Sequence, residues 1–273
     1  MPEDLIAGHR TPWRVWHRGA DRPVLALHCS LAHAGAWSAL VDALHGVTVT
    51  ALDQPGHGRS ADWDGTRDLH DLTTAIATDM AERIGGGGPV DVFGHSFGGT
   101  VALRLAMERP DLVRSLTLVE PVIFAAAREV AGPAYTDFSA LHRDITDQIL
   151  SGDPLAGARK FHGMWGTGTA FEDLPEAQQR YIVERIHLIA AQTPVLVEDA
   201  AGLMPAGRLE AISVPVLLVE GGDSPPIIDA VQTVLARRLA HASRVVVPGA
   251  GHMVPITHAA AMAPAVQAHL ADC

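Results

Sequence analysis

Paired cysteines are missing from this sequence. Only Cys29, inside an apolar segment, and Cys273, at the last position, occur, so neither a disulfide framework nor a paired-cysteine zinc motif can be drawn. Basic residues are outnumbered: 20 Lys and Arg face 31 Asp and Glu, for a formal net charge of -11. No basic cluster of the kind that follows a phosphate backbone is present, and nucleic acid is excluded as an expected partner. The opening MPEDLIAGHR carries acidic residues where a secretory signal needs a basic region and an apolar run. No later apolar stretch reaches spanning length, so the expectation is a cytoplasmic protein with no membrane partner. The 15 histidines include no His-Glu-x-x-His helix, and no metal is expected. The four glycines at 85 to 88 lack a following Gly-Lys-Ser/Thr, which makes them a helix-to-strand loop and not a phosphate cradle.

What is present suits one α/β domain with an insertion: 273 residues, 48% hydrophobic and 19% charged. Short apolar runs alternate with helical patterns. The runs are VLALH (24 to 28), VTVTALD (47 to 53), VDVFG (90 to 94), LTLVE (116 to 120), VPVLLVEG (214 to 221) and RVVVPG (244 to 249). Their near-continuous hydrophobicity fits strands of a mostly parallel sheet buried on both faces. Leu69, Leu72, Ile76, Met80 and Ile84 recur at helical steps, and the apolar segment from Ser96 to Arg109 is stopped by Pro110. From about Pro121 to Arg208 the alternation fails. This stretch reads as helices, with Ile182, Ile186 and Ile189 in one stripe. The expected organisation is therefore an α/β core at 1–120, a helical cap at 121–208 and the rest of the core at 209–273.

Chemistry concentrates at Gly94-His95-Ser96-Phe97-Gly98, which follows the strand VDVF and opens a helix. A serine in that context is forced into a tight turn that lifts its hydroxyl above the sheet, at a helix N-terminus that favours developing negative charge. A second glycine-rich segment, Gly56 to Ala61, loosely matches a dinucleotide fingerprint. Pro55 and the polar ADWDGTRD leave no adjacent helix to hold a pyrophosphate, and no cofactor is expected.

With GHSFGG at 94 to 99, DQPGHGRS at 53 to 60, a His-to-Trp loop from His28 to Trp37, and GAGHMVP at 249 to 255, the chain resembles the α/β-hydrolase superfamily. The similarity is to its cap-bearing, serine-nucleophile esterases, lactonases, haloperoxidases and carbon-carbon hydrolases. It implies the α/β-hydrolase fold, with the cap inserted after the strand ending near Glu120. It further implies Ser96 as nucleophile and His252 as general base, in the chain order Ser, acid, His. Asp223, just past VPVLLVE, is the expected orienting acid, and Glu120 is its rival. The expected oxyanion donors are the N–H groups of Phe97 and Ser30, although Cys29 replaces the glycine that relatives carry in that loop. A cysteine nucleophile is disfavoured, because Cys29 lacks the turn context. His28, His95, Glu120 and Trp165 are expected to contact substrate. The implied activity is hydrolysis of a small or medium ester or lactone through an acyl-enzyme. A carbon-carbon hydrolase, a cofactor-free haloperoxidase and a non-turnover ligand receptor remain as alternatives. The partner implied is a small molecule, with self-association left open.

Overall fold

A computed structural model describes residues 1–130 and 132–273. The chain begins with β1 (Glu3–Ile6) and the long β2 (His9–Leu27), then α1 (Ser38–Ala43), β3 (Val47–Leu52), α2 (Leu69–Gly85), β4 (Val90–His95), α3 (Phe97–Glu108) and β5 (Val113–Val119). Four helices follow, α4 (Gly132–Leu150), α5 (Pro154–Trp165), α6 (Glu176–Arg185) and α7 (His187–Leu196). The chain then returns to the sheet with β6 (Val216–Gly221), α8 (Pro226–Arg238), β7 (Ala242–Val247), the single turn α9 (Val254–Thr257) and α10 (Ala259–Ala271).

β2 doubles back on itself. Trp13 to Arg18 lie antiparallel to β3, from Trp13 opposite Leu52 to Arg18 opposite Val47; beyond Gly19 the pairing resumes in the opposite sense, Val24 with Val49 and Ala26 with Ala51. Gly19 turns the chain with a φ of +97°, a value open to glycine. The last residues of β2 then pair parallel with β4, followed by β5, β6 and β7, all parallel. The N-terminal antiparallel strands have no counterpart among the runs expected from the sequence.

Side chains from alternate positions of the parallel strands enter two separate cores. Leu25, Leu27, Val92, Leu116 and Leu218 face one side, with α2, α3 and α8. Val24, Ala26, Phe93, Val119, Leu217 and Val219 face the other, with α1 and α10. This two-sided burial is why the strands read as unbroken apolar runs. In α2, Leu69, Leu72, Ile76 and Met80 are buried, Asp68 caps the first turn by accepting from the Asp71 N–H, and Gly86 ends the helix at a φ of +57°.

The helices between β5 and β6 carry their own small core of Ala158, Phe171, Leu174, Ile182, Ile186 and Ile189. The three isoleucines do share a face of packing, but not one helix: Ile186 is the joint between α6 and α7.

Candidate active site

Ser96 lies between β4 and α3 with φ +55° and ψ -117°, a conformation that L-residues adopt only where neighbours enforce it. Those neighbours are glycines. A Cβ on Gly94 would stand 2.5 Å from the Gly98 carbonyl oxygen, and one on Gly98 would collide with the Leu27 carbonyl. Strand and helix can therefore close around the serine only with hydrogen at both flanking positions.

The Ser96 Oγ is 2.9 Å from Nε2 of His252, and Nδ1–H of the same ring donates to Oε2 of Glu120 at 2.5 Å. All three are buried. This corrects the expected acid: the structure brings Glu120 to His252, while Asp223 is exposed in the loop after β6, its backbone N–H held by the Ala250 carbonyl. The reason is local. Glu120 follows β5, next to the serine strand, and its φ of +46° turns the side chain across β6. There the other carboxylate oxygen accepts the Gly221 N–H at 2.6 Å and the Ser224 hydroxyl. Burial alone would raise the carboxyl, but the hydrogen bond and charge of His252, with those two further donors, hold it below its ordinary value. Glu120 is thus an ionised, fully engaged acceptor, and not a surface for substrate.

Two other expected contacts are also corrected. His28 donates through Nδ1 to the Cys29 carbonyl at 2.7 Å and accepts the Gln54 N–H on Nε2 at 3.1 Å. Both nitrogens are spent inside the fold, and burial pushes the imidazole down to about 3. His95 points beneath the site, where its Nε2–H donates to the His252 carbonyl at 2.9 Å. Burial likewise lowers it to about 3, so it is a neutral prop for the His252 loop. Trp165 does reach the site, its ring centroid 4.6 Å from that of His252.

The loop from His28 to His33 is pinned by the DQPGHGRS segment. Asp53 accepts the N–H groups of Ala34 at 2.8 Å and Arg59 at 3.0 Å, and Gln54 donates its amide to the His28 carbonyl. Residues 55 to 60 form turns and bends, and the next helix starts only at Leu69. The segment braces the loop. Cys29 sits under the loop with its sulfur 3.9 Å from that of Met253. Burial pushes its thiol up to about 12, which leaves it inert as a nucleophile. The N–H groups of Ser30 and Phe97 take no partner among the described residues.

Ser96 and His252 open on a chamber of about 30 Å³. Ser30, Phe161 and Trp165 separate it from a groove of about 720 Å³ that runs past Tyr181 and Ile182. Neither lining includes Lys, Arg, Asp or Glu among the described residues. Tyr181 ties helix α6 to this groove, donating to the Ala32 carbonyl at 3.1 Å and accepting the Gly58 N–H at 3.0 Å. Sequence reasoning did not single out Gln192, which lines the chamber; its one signal was a lone amide within the apolar helix HLIAAQTPVL. Among the described residues no group of three or more His, Cys, Asp or Glu is arranged to hold a metal ion. No helix there is long and apolar enough to cross a membrane.

A buried serine on a strained turn, hydrogen-bonded to an imidazole that is itself held by a carboxylate, can lose its proton as it attacks a carbonyl. Together with the parallel sheet and the inserted helices, this arrangement defines the α/β-hydrolase class. The sequence profile of the alpha/beta hydrolase family matches residues 24–265, and the chain belongs to that family. Over 97% of its length it is 24% identical to (E)-2-((N-methylformamido)methylene)succinate hydrolase of Acinetobacter baylyi, covering 96% of that protein. It is 34% identical to lipase LipV of Mycobacterium tuberculosis, over 52% of this chain and about half (51%) of the lipase. It is 31% identical to a pimeloyl-[acyl-carrier protein] methyl ester esterase of Neisseria meningitidis, over 79% of this chain and 65% of that protein. Among solved structures, the enol-lactonase of Burkholderia xenovorans superposes with a TM-score of 0.77 at 21% identity, covering 99% of this chain and 100% of the lactonase. That likeness speaks for the fold alone.

Proposed function

We propose that this protein hydrolyses a small or medium uncharged carboxylic ester or lactone through an acyl-enzyme on Ser96, with His252 as base and Glu120 as its orienting acid. The observation that carries the reading is the unbroken hydrogen-bond chain from Ser96 through His252 to Glu120. As Ser96 Oγ attacks the carbonyl carbon, its proton passes to His252 Nε2. The imidazolium so formed is stabilised by the Glu120 carboxylate. The carbonyl oxygen gains charge opposite the unpartnered N–H groups of Phe97 and Ser30, donors fixed in advance by the helix start and the braced loop. His252 then protonates the departing alkoxide, and water, deprotonated by the same ring, releases the acid from Ser96. The apolar groove beyond Trp165 suits the alcohol portion. The lipase and methyl ester esterase among the relatives support ester chemistry.

A fluorophosphonate probe is expected to label Ser96, and Ser96→Ala is expected to remove both labelling and turnover of a phenyl ester while the melting temperature stays within a few degrees. Undiminished turnover by the folded alanine variant would refute the serine mechanism.

A further inference from the structure

The chamber around Ser96 is walled by Val122, Phe124, Phe161, Trp165, Ile189 and Leu196, and among these apolar side chains lies one carboxamide. Gln192 is 2% exposed. Its Oε1 accepts the Ser30 hydroxyl at 2.7 Å, but its Nε2, with two N–H donors, is buried without a partner among the described residues. A buried amide left unpaired costs on the order of 1 to 3 kcal/mol, so a substrate oxygen placed against it would be bound favourably. The Ser30 bond anchors one end of the amide and holds the NH2 end free, beside the loop that carries the Ser30 N–H. His142, also in this wall, is neutral: burial lowers it to about 4, and its Nε2 is engaged with the Thr193 hydroxyl at 2.9 Å. Among the described residues no Lys, Arg, Asp or Glu in the chamber's lining competes for the donor.

We propose that Gln192 is a specificity-determining residue whose free N–H groups bind an oxygen on the acyl part of the substrate, close to the scissile carbonyl. The favoured substrates are then esters of short, uncharged oxygen-bearing acids, such as hydroxyacyl esters, over their hydrocarbon counterparts. This inference rests on the ester-hydrolase reading above. An apolar acyl group would leave the amide unpaired in the transition state, and a site built to pair a substrate oxygen rejects the analogue lacking it. Gln192 touches substrate in this scheme but neither gives nor takes a proton.

The test uses phenyl glycolate and phenyl propionate, which differ by a hydroxyl in place of a methyl. Because glycolate esters are intrinsically more reactive, the quantity read is the ratio of their kcat/KM values in each variant against wild type. Gln192→Met, close in volume but without donors, is expected to lower the glycolate-to-propionate ratio about tenfold, with the loss falling on the glycolate ester. Gln192→Leu serves the same comparison should the methionine variant fail to fold. A ratio within twofold of wild type in a folded variant overturns the proposal. So does an equal loss on both esters, since Gln192 would then act only by holding Ser30. Hydrolysis of both esters by Ser96→Ala at the wild-type rate would instead overturn the underlying serine reading, which separates the two failures.

Discussion

Glu120 has a backbone φ of +46°, no exposed surface, and three donors on its two oxygens. Such a carboxylate cannot be exchanged for a neutral amide without removing the charge that stabilises the imidazolium. Glu120→Gln is expected to lose up to about ten-thousandfold in kcat. Asp223→Asn, in an exposed loop, is expected to stay within roughly twofold of wild type. Steady-state kinetics on one ester, with both variants shown to be folded, decide the matter, and the reverse ranking would return the role to Asp223. The sequence could not make this choice. Both acids follow a parallel strand, and the one that reaches His252 is selected by a left-handed backbone turn and a side chain one methylene longer. The turn leaves no mark in residue pattern, and the extra methylene, though visible, does not by itself say which carboxylate reaches the histidine. The meeting of Ser96 with His252 was legible because glycines two residues either side of the serine are what close packing there requires, and because the histidine follows a Gly-Ala-Gly turn after the last strand, where Gly249 takes a φ of +74°.

At the scale of the element, the turn into α3 works because its glycines are places where another backbone must pass. A methyl group at Gly98 would meet the Leu27 and His28 carbonyls, which no rotamer can move aside. Gly98→Ala should therefore cost about 1 to 3 kcal/mol or more and lower kcat by shifting Ser96 against His252. Gly163 offers the contrast, since it lies within α5 and a methyl there meets nothing within 4 Å. Gly163→Ala should raise stability by up to about 1 kcal/mol, through helix propensity alone. Thermal melts of the two variants check the pair, and a Gly98→Ala protein as stable and active as wild type would contradict the close-packing account. The elements most legible in the sequence were those buried on both faces. β1 and the first part of β2 escaped because these antiparallel strands keep much of their surface in water, and EDLI and HRTPWRVWHR show no continuous apolar run.

For the molecule as a whole, four buried histidines set an acid limit. His28, His57, His70 and His95 are each lowered by burial to about 3, whereas in the unfolded chain an imidazole titrates near 6.5. The unfolded state thus binds more protons between those values. Stability is complete above about pH 6.5 and is lost as pH falls toward 3. With four sites the loss approaches roughly 5 kcal/mol per pH unit, comparable to the entire stability of a domain. Urea midpoints measured between pH 7.5 and 5 should fall steeply below 6. His70→Gln, in α2 and outside the Ser96–His252–Glu120 chain though its ring packs against Phe97, should reduce the slope by about one proton. A midpoint flat across that interval would show that these imidazoles are protonated in the native state or reached by solvent.

The hydrogen bonds that join Glu120 to His252 and His252 to Ser96 span 132 and 156 residues of chain. Ser96 and Glu120 follow neighbouring strands whose register pairs His95 with Val119, and both emerge from the ribosome before the helices between β5 and β6. His252 emerges only after β7. On the proposed mechanism a nascent chain that stops short of that segment is chemically silent, and turnover of an ester reports that the segment after β7 has been made and docked.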